Sequence, residues 1–75
     1  MGRWQVFGGK KTGWITYSDE VQELLDAAWR TGDTVHVSIE GYPYRINPKD
    51  GWQNRQDTTA PNRRVVWTAL GDIDV

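Results

Sequence analysis

The stretch "TVHVSIEGYPYRI", Thr34 to Ile46, decides the fold. Val35, Val37 and Ile39 alternate with His36 and Ser38, which is the period of a strand with one buried face. Glu40-Gly41 is the right length for a two-residue hairpin loop. Ile39 then faces Tyr42, Val37 faces Tyr44 and Val35 faces Ile46. Facing residues share a face, so all six point to one side of an antiparallel pair. Tyr44 is thereby predicted to point inward, and His36 outward to solvent.

Working outward toward the C-terminus, "NPKDG", Asn47 to Gly51, is a dense turn signal. "WQNR", Trp52 to Arg55, reads as a short strand with Gln53 and Arg55 on one face and Trp52 and Asn54 on the other. Gln56 to Asn62 is a polar loop. "RRVVW", Arg63 to Trp67, reads as the last strand, with Arg63, Val65 and Trp67 on one face. The rest, residues 68–75, reads as a tail. Toward the N-terminus, "RWQVF", Arg3 to Phe7, and "WITY", Trp14 to Tyr17, flank the glycine-rich turn Gly8 to Gly13 and form a second hairpin.

One helix lies between the hairpins. Ser18 is an N-cap, with Asp19 and Glu20 in the first turn, where the helix dipole favours them. Val21, Leu24, Leu25, Ala28 and Trp29 follow the helical period and are expected in the core. Gly32 ends the helix. The predicted fold is α+β: a single amphipathic helix packed in a strongly curved, half-open antiparallel sheet of about six strands. One helix cannot cover all of that concave face, so the uncovered end is a candidate pocket.

Composition narrows the chemistry. The 75 residues make one domain with a small core, and five tryptophans are one way to fill it. There is no cysteine, hence no disulfide, no thiolate nucleophile and no cysteine zinc site. The single histidine, His36, sits on the outer face of its strand and is a poor catalytic base. No enzyme activity, metal or cofactor is expected. No apolar run reaches the roughly 20 residues of a membrane span, and the chain reads as a soluble, intracellular module. The net charge of −1 argues against DNA and against a small RNA-binding barrel. The charge is nonetheless segregated. Residues 18–40 carry six carboxylates against Arg30, whereas residues 41–67 carry five cations against Asp50 and Asp57.

In that second, cationic segment Tyr44, Gln53 and Arg63 suit a nucleotide-like anion. Tyrosine can stack on a base, glutamine both donates and accepts, and arginine forks onto phosphate. Each also has a plainer reading, as a core aromatic, a solvated amide and a strand-edge cation.

The order of these residues resembles the WWE domain family. Trp4 and "GWITY", Gly13 to Tyr17, look like the two tryptophan segments. The helix "SDEVQELLDAAWRTG" matches in length and pattern, and "YRINPKDGWQNRQDTTAPNRRVV" resembles the closing motif. The similarity covers residues 4–67. It implies a non-enzymatic module that binds poly(ADP-ribose) or ADP-ribosylated proteins through iso-ADP-ribose, or a related adenine nucleotide. In the parent protein it implies neighbouring ubiquitin-ligase or ADP-ribosyltransferase modules. The family's pocket residues fall on Tyr44, Gln53 and Arg63, with Arg64 and Arg55 as further cations. Asp26 stands for the signature glutamate. Val6 and Ile15 stand where well-characterised ligand binders have aromatics, and each lost stacking surface is worth roughly 1–3 kcal/mol. An alternative is therefore a protein–protein interaction module that keeps the scaffold and has lost the nucleotide.

Overall fold

The computed structural model describes residues 2–69. Six strands and one helix follow in the order β1 (Gly2–Phe7), β2 (Trp14–Thr16), α1 (Asp19–Thr31), β3 (Val35–Ile39), β4 (Tyr42–Asn47), β5 (Trp52–Arg55) and β6 (Arg63–Ala69). All neighbours pair antiparallel, in the spatial order β2-β1-β6-β5-β4-β3. The sheet curls around α1 into a half-barrel whose edge strands, β2 and β3, do not pair with each other.

The central hairpin has the register that its alternation predicts: Val35 opposite Ile46, Val37 opposite Tyr44 and Ile39 opposite Tyr42. Glu40 and Gly41 both take positive φ, 53° and 84°, which is the two-residue turn whose twist suits a hairpin. Trp4, Val6, Tyr17, Val21, Leu25, Ile46 and Val65 form the buried cluster, and Leu25 and Ile46 are fully enclosed at its centre. Asn47 is buried too. Its side chain reaches the Gly32 carbonyl and the Thr34 hydroxyl, both at 3.3 Å, and accepts from the Asp50 amide at 2.9 Å. It therefore ties the end of the helix to the β4–β5 turn.

The helix begins at Ser18, whose hydroxyl accepts from the Val21 amide, and ends at Gly32 in the left-handed region. It touches β1, β3 and β4. Only Val21, Leu25 and Ala28 are buried. Leu24 and Trp29, expected in the core, are instead 47% and 54% exposed. Their positions flank the buried row, and a single helix seated in a curved trough contacts it along a stripe narrower than its full apolar face. No described helix is long and apolar enough to cross a membrane.

Helix and sheet are joined by hydrogen bonds as well as packing. β2 ends at Thr16, so Trp4 in β1 has no strand residue opposite it on that side. Tyr17 keeps one ladder bond, its amide to the Trp4 carbonyl at 3.2 Å, and the Gln22 side chain completes the rung: Oε1 accepts from the Trp4 amide at 2.6 Å, and Nε2 donates to the carbonyls of Trp4 at 2.9 Å and Tyr17 at 3.1 Å. One turn further along the helix, Asp26 Oδ1 accepts from the Trp4 indole N–H at 2.8 Å. At the other end of the chain β6 continues two residues past the expected Trp67, with Thr68 opposite Arg3 and Ala69 opposite Gly2. β1 starts at Gly2 and supplies pairing partners that far. The remainder of the expected tail, residues 70–75, lies outside the described residues.

Candidate functional site

Three strands bring the site together through their register. Tyr44 lies opposite Arg55, Ile46 opposite Gln53, and Gln53 opposite Arg63. Ile46 is at the core, so its cross-strand neighbours share the concave face. Tyr44, Gln53, Arg55 and Arg63 line a cleft of about 230 Å³ at the open end of the half-barrel, closed on one side by Thr58, Ala60 and Pro61. Alternation along β4, β5 and β6 made the four strand residues accessible to sequence reasoning. The three loop residues carry no such period and were not anticipated.

Tyr17 is a further contributor that the sequence did not single out. It stands at the end of the second N-terminal strand segment, 6% exposed, and its hydroxyl donates to Gln53 Oε1 at 2.6 Å. Burial raises the Tyr17 hydroxyl well above the ordinary tyrosine value, and the nearby Tyr44 adds to this. The phenol therefore stays protonated and acts as a donor. With Oε1 engaged, Gln53 has its Nε2 hydrogens to offer a ligand acceptor.

The two arginines of the cleft differ. Arg55 donates to Asp57 twice, Nε to Oδ1 at 2.5 Å and Nη2 to Oδ2 at 3.1 Å, and its guanidinium lies 3.8 Å over the Tyr42 ring. The hydrogen bond to Asp57 raises the Arg55 value and, seen from the other side, lowers that of Asp57. Arg55 thus has an internal counter-ion. Arg63 makes no ion pair among the described residues. The glycine turn passes beside it: a Cβ on Gly9 would stand 3.7 Å from Arg63 Nη1. Of the two arginines in the cleft, Arg63 is the one without an internal counter-ion among the described residues.

Three expected site residues do not line this cleft. Arg64 lies opposite Trp52, and alternation along β6 turns it to the convex face, away from Arg63. Val6 is buried in the core against Val65. Ile15 shares a face with Val6 but belongs to the edge strand, where it is 44% exposed. Among the described residues, no side chain of β1 or β2 lines the cleft.

A larger cavity, of about 600 Å³, opens at the far end of the half-barrel between Trp4, Trp29 and Trp67. It shares no lining residue with the cleft, and none of the expected ligand-binding residues lies on it.

No curated protein matches the chain in sequence. The WWE domain pattern does match it, over residues 3–67. That span runs from the strand bearing Trp4 to the end of the Arg63–Trp67 run, and it includes the Asp26 carboxylate that holds the Trp4 indole. By this match over most of its length, with one helix seated in a curled six-stranded sheet, the chain belongs to the WWE domain family.

Proposed function

We propose that this domain is a non-catalytic binding module that recognises ADP-ribose polymer through iso-ADP-ribose, or a related adenine nucleotide. The observation that carries this reading is the convergence of Tyr44, Gln53 and Arg63, from three different strands, on one cleft. Tyr44 supplies a ring face and a hydroxyl for the base and ribose. Gln53, held by Tyr17, supplies donors to a ring nitrogen or sugar oxygen. Arg63 neutralises phosphate at the mouth.

Size supports a partial enclosure. At about 230 Å³ the cleft is smaller than the roughly 300–1,000 Å³ of sites that engulf a whole ligand. It suits the adenosine portion, with the phosphates outside beside Arg63. Calorimetry with iso-ADP-ribose, ADP-ribose and ATP tests the proposal, and no heat from any of them at millimolar concentration overturns it.

The rival reading, a protein-binding module without a nucleotide, draws on Val6 and Ile15, aliphatic residues that do not line the cleft. An NMR titration separates the two. Nucleotide-dependent shifts at Tyr44, Gln53 and Arg63 support the first. Shifts only with a protein partner, on the helix or the convex face, support the second. Membership of the family supports a recognition element inside the cell, and we propose ubiquitin-ligase or ADP-ribosyltransferase modules as the neighbours to look for in a parent protein.

A further inference from the structure

The loop between β5 and β6 sets an acid beside the cleft. Arg55 ends β5 and lines the cleft, and Asp57 immediately precedes the wall residue Thr58. The Asp57 carboxylate takes one edge of the Arg55 guanidinium, with Oδ1 on Nε and Oδ2 on Nη2. The Tyr42 ring takes one of its faces, at 3.8 Å. A guanidinium has more N–H donors than one carboxylate can use, and those left over sit on the terminal nitrogens. Arg55 therefore keeps hydrogens to donate while its charge is matched at close range. The hydrogen bond from Arg55 holds the Asp57 carboxyl below its ordinary value, so the acid is ionised at neutral pH. The side chains of the pair are 36% and 41% exposed, so a ligand entering the cleft can reach both.

Arg63 is placed differently. It is the cross-strand neighbour of Gln53, and Arg55 lies on the same face of β5 as Gln53, so the two arginines flank one amide. Arg63 is exposed and makes no ion pair among the described residues. Among those residues no carboxylate lines the cleft itself. The charge at its mouth is therefore set by Asp57, which cancels one guanidinium and leaves the other. An anion that approaches Arg55 meets a carboxylate already seated on the same guanidinium. The repulsion grows with the charge of the anion. A terminal phosphate carries about −1.5 to −2 at neutral pH, whereas the phosphates of a pyrophosphate diester have no second proton to lose.

We propose that Asp57 is a specificity-determining residue of the cleft. By neutralising Arg55 it favours the pyrophosphate diester of an ADP-ribose unit over nucleotides that end in a phosphate. The inference rests on the nucleotide reading of the cleft for its ligand, and on the Arg55–Asp57 geometry for its charge selection. Arg55 then offers a planar set of donors suited to sugar oxygens, and Arg63 takes the phosphate.

The test is Asp57→Asn in the whole chain, a change that keeps size and one acceptor for Arg55 and removes the charge. Calorimetry with iso-ADP-ribose, ATP and adenosine is run beside an NMR titration of the arginine side-chain N–H signals with inorganic pyrophosphate. ATP and pyrophosphate are expected to tighten about two- to fivefold, the range of an exposed charge interaction. Iso-ADP-ribose tightens less, adenosine is unchanged, and the preference for iso-ADP-ribose over ATP narrows. The gain disappears in about 1 M salt, where charges are screened. In the variant the Arg55 Nε–H signal moves with pyrophosphate. Equal ATP and pyrophosphate affinities in the two proteins overturn the proposal. An equal gain for adenosine, or a gain that survives high salt, overturns it in favour of a steric obstacle. If no adenine ligand binds either protein, the nucleotide reading of the cleft falls, and pyrophosphate decides the role of Asp57. A tighter pyrophosphate complex in the variant upholds the charge selection, and an equal one, or none, overturns it.

Discussion

Replacing Tyr17 with phenylalanine removes one hydroxyl and keeps the ring. Tyr17 is 6% exposed and its ring packs in the core, so the variant opens no cavity of side-chain size. What it loses is the 2.6 Å bond to Gln53 Oε1. Stranding a buried acceptor costs about 1–3 kcal/mol, but Gln53 is only half-buried and water can reach part of it. The expected loss is therefore at the low end, about 1 kcal/mol, or about 4–8 °C in Tm for a domain of this size. The ligand feels the change separately. A Gln53 side chain that must be immobilised on binding costs about 0.5–1.5 kcal/mol, or up to roughly tenfold in Kd. A third readout is the alkaline limb of stability. The folded value of Tyr17 is raised, and in the unfolded chain a tyrosine ionises near ~10. Below that pH both states keep the proton and its contribution is complete. Above it only the unfolded chain releases the proton, so stability falls as pH rises, by about 1.4 kcal/mol per unit for this group. Phenylalanine has no proton to release, and the decline in the variant is shallower by one proton. Urea melts from pH 8 to about 11 and calorimetry with iso-ADP-ribose measure all three effects. An unchanged Tm, Kd and alkaline slope would refute the role given to Tyr17.

Three further predictions follow from contacts already described. Arg63→Ala, at an exposed position, weakens iso-ADP-ribose by roughly 10–100-fold, the worth of a charged hydrogen bond of about 1.5–3 kcal/mol, and leaves the urea midpoint in place. A matching loss of stability would show that the residue is structural. Asp26→Ala leaves the indole N–H of nine-tenths-buried Trp4 without its acceptor and lowers stability by about 1–3 kcal/mol in chemical denaturation; an unchanged midpoint would show that the contact is dispensable. Glu40→Asn relieves a positive φ of 53° in a residue with little tolerance for it. It raises the urea midpoint by an amount corresponding to about 0.5–1 kcal/mol, and a fall would contradict the turn geometry.

Local period carried most of the fold. The alternation from Val35 to Ile46 set the register of β3 on β4, and with it the inward direction of Tyr44. The same alternation turned Gln53 and Arg55 to one side of β5. Where residues meet across long separations, the sequence is silent. Tyr17 and Gln53 are 36 positions apart, and nothing in either neighbourhood announces their bond. Gln22, a polar residue beside the apolar stripe, looks like a solvated helix position until the end of β2 leaves the Trp4 N–H without a strand acceptor. Leu24 and Trp29 belong to the helical stripe by period, yet the trough is too narrow to cover them. Arg64 is a further cation by the family resemblance alone; it stands next to Arg63 on one strand, and adjacent strand residues face opposite ways.

The Gln22 amide has a consequence for how the chain keeps to itself. A sheet edge with a free N–H and C=O in register is a template for a strand from another molecule. Just beyond the end of β2 the Tyr17 amide reaches the Trp4 carbonyl, but the Trp4 N–H and the Tyr17 carbonyl do not meet, and an edge opened there would be such a template. Gln22 carries the same donor and acceptor as a peptide group, but it grows from a helix and cannot be extended by a further residue. It closes that rung with a group that propagates no ladder. At this point the half-barrel is terminated against aggregation without the closure of a full barrel.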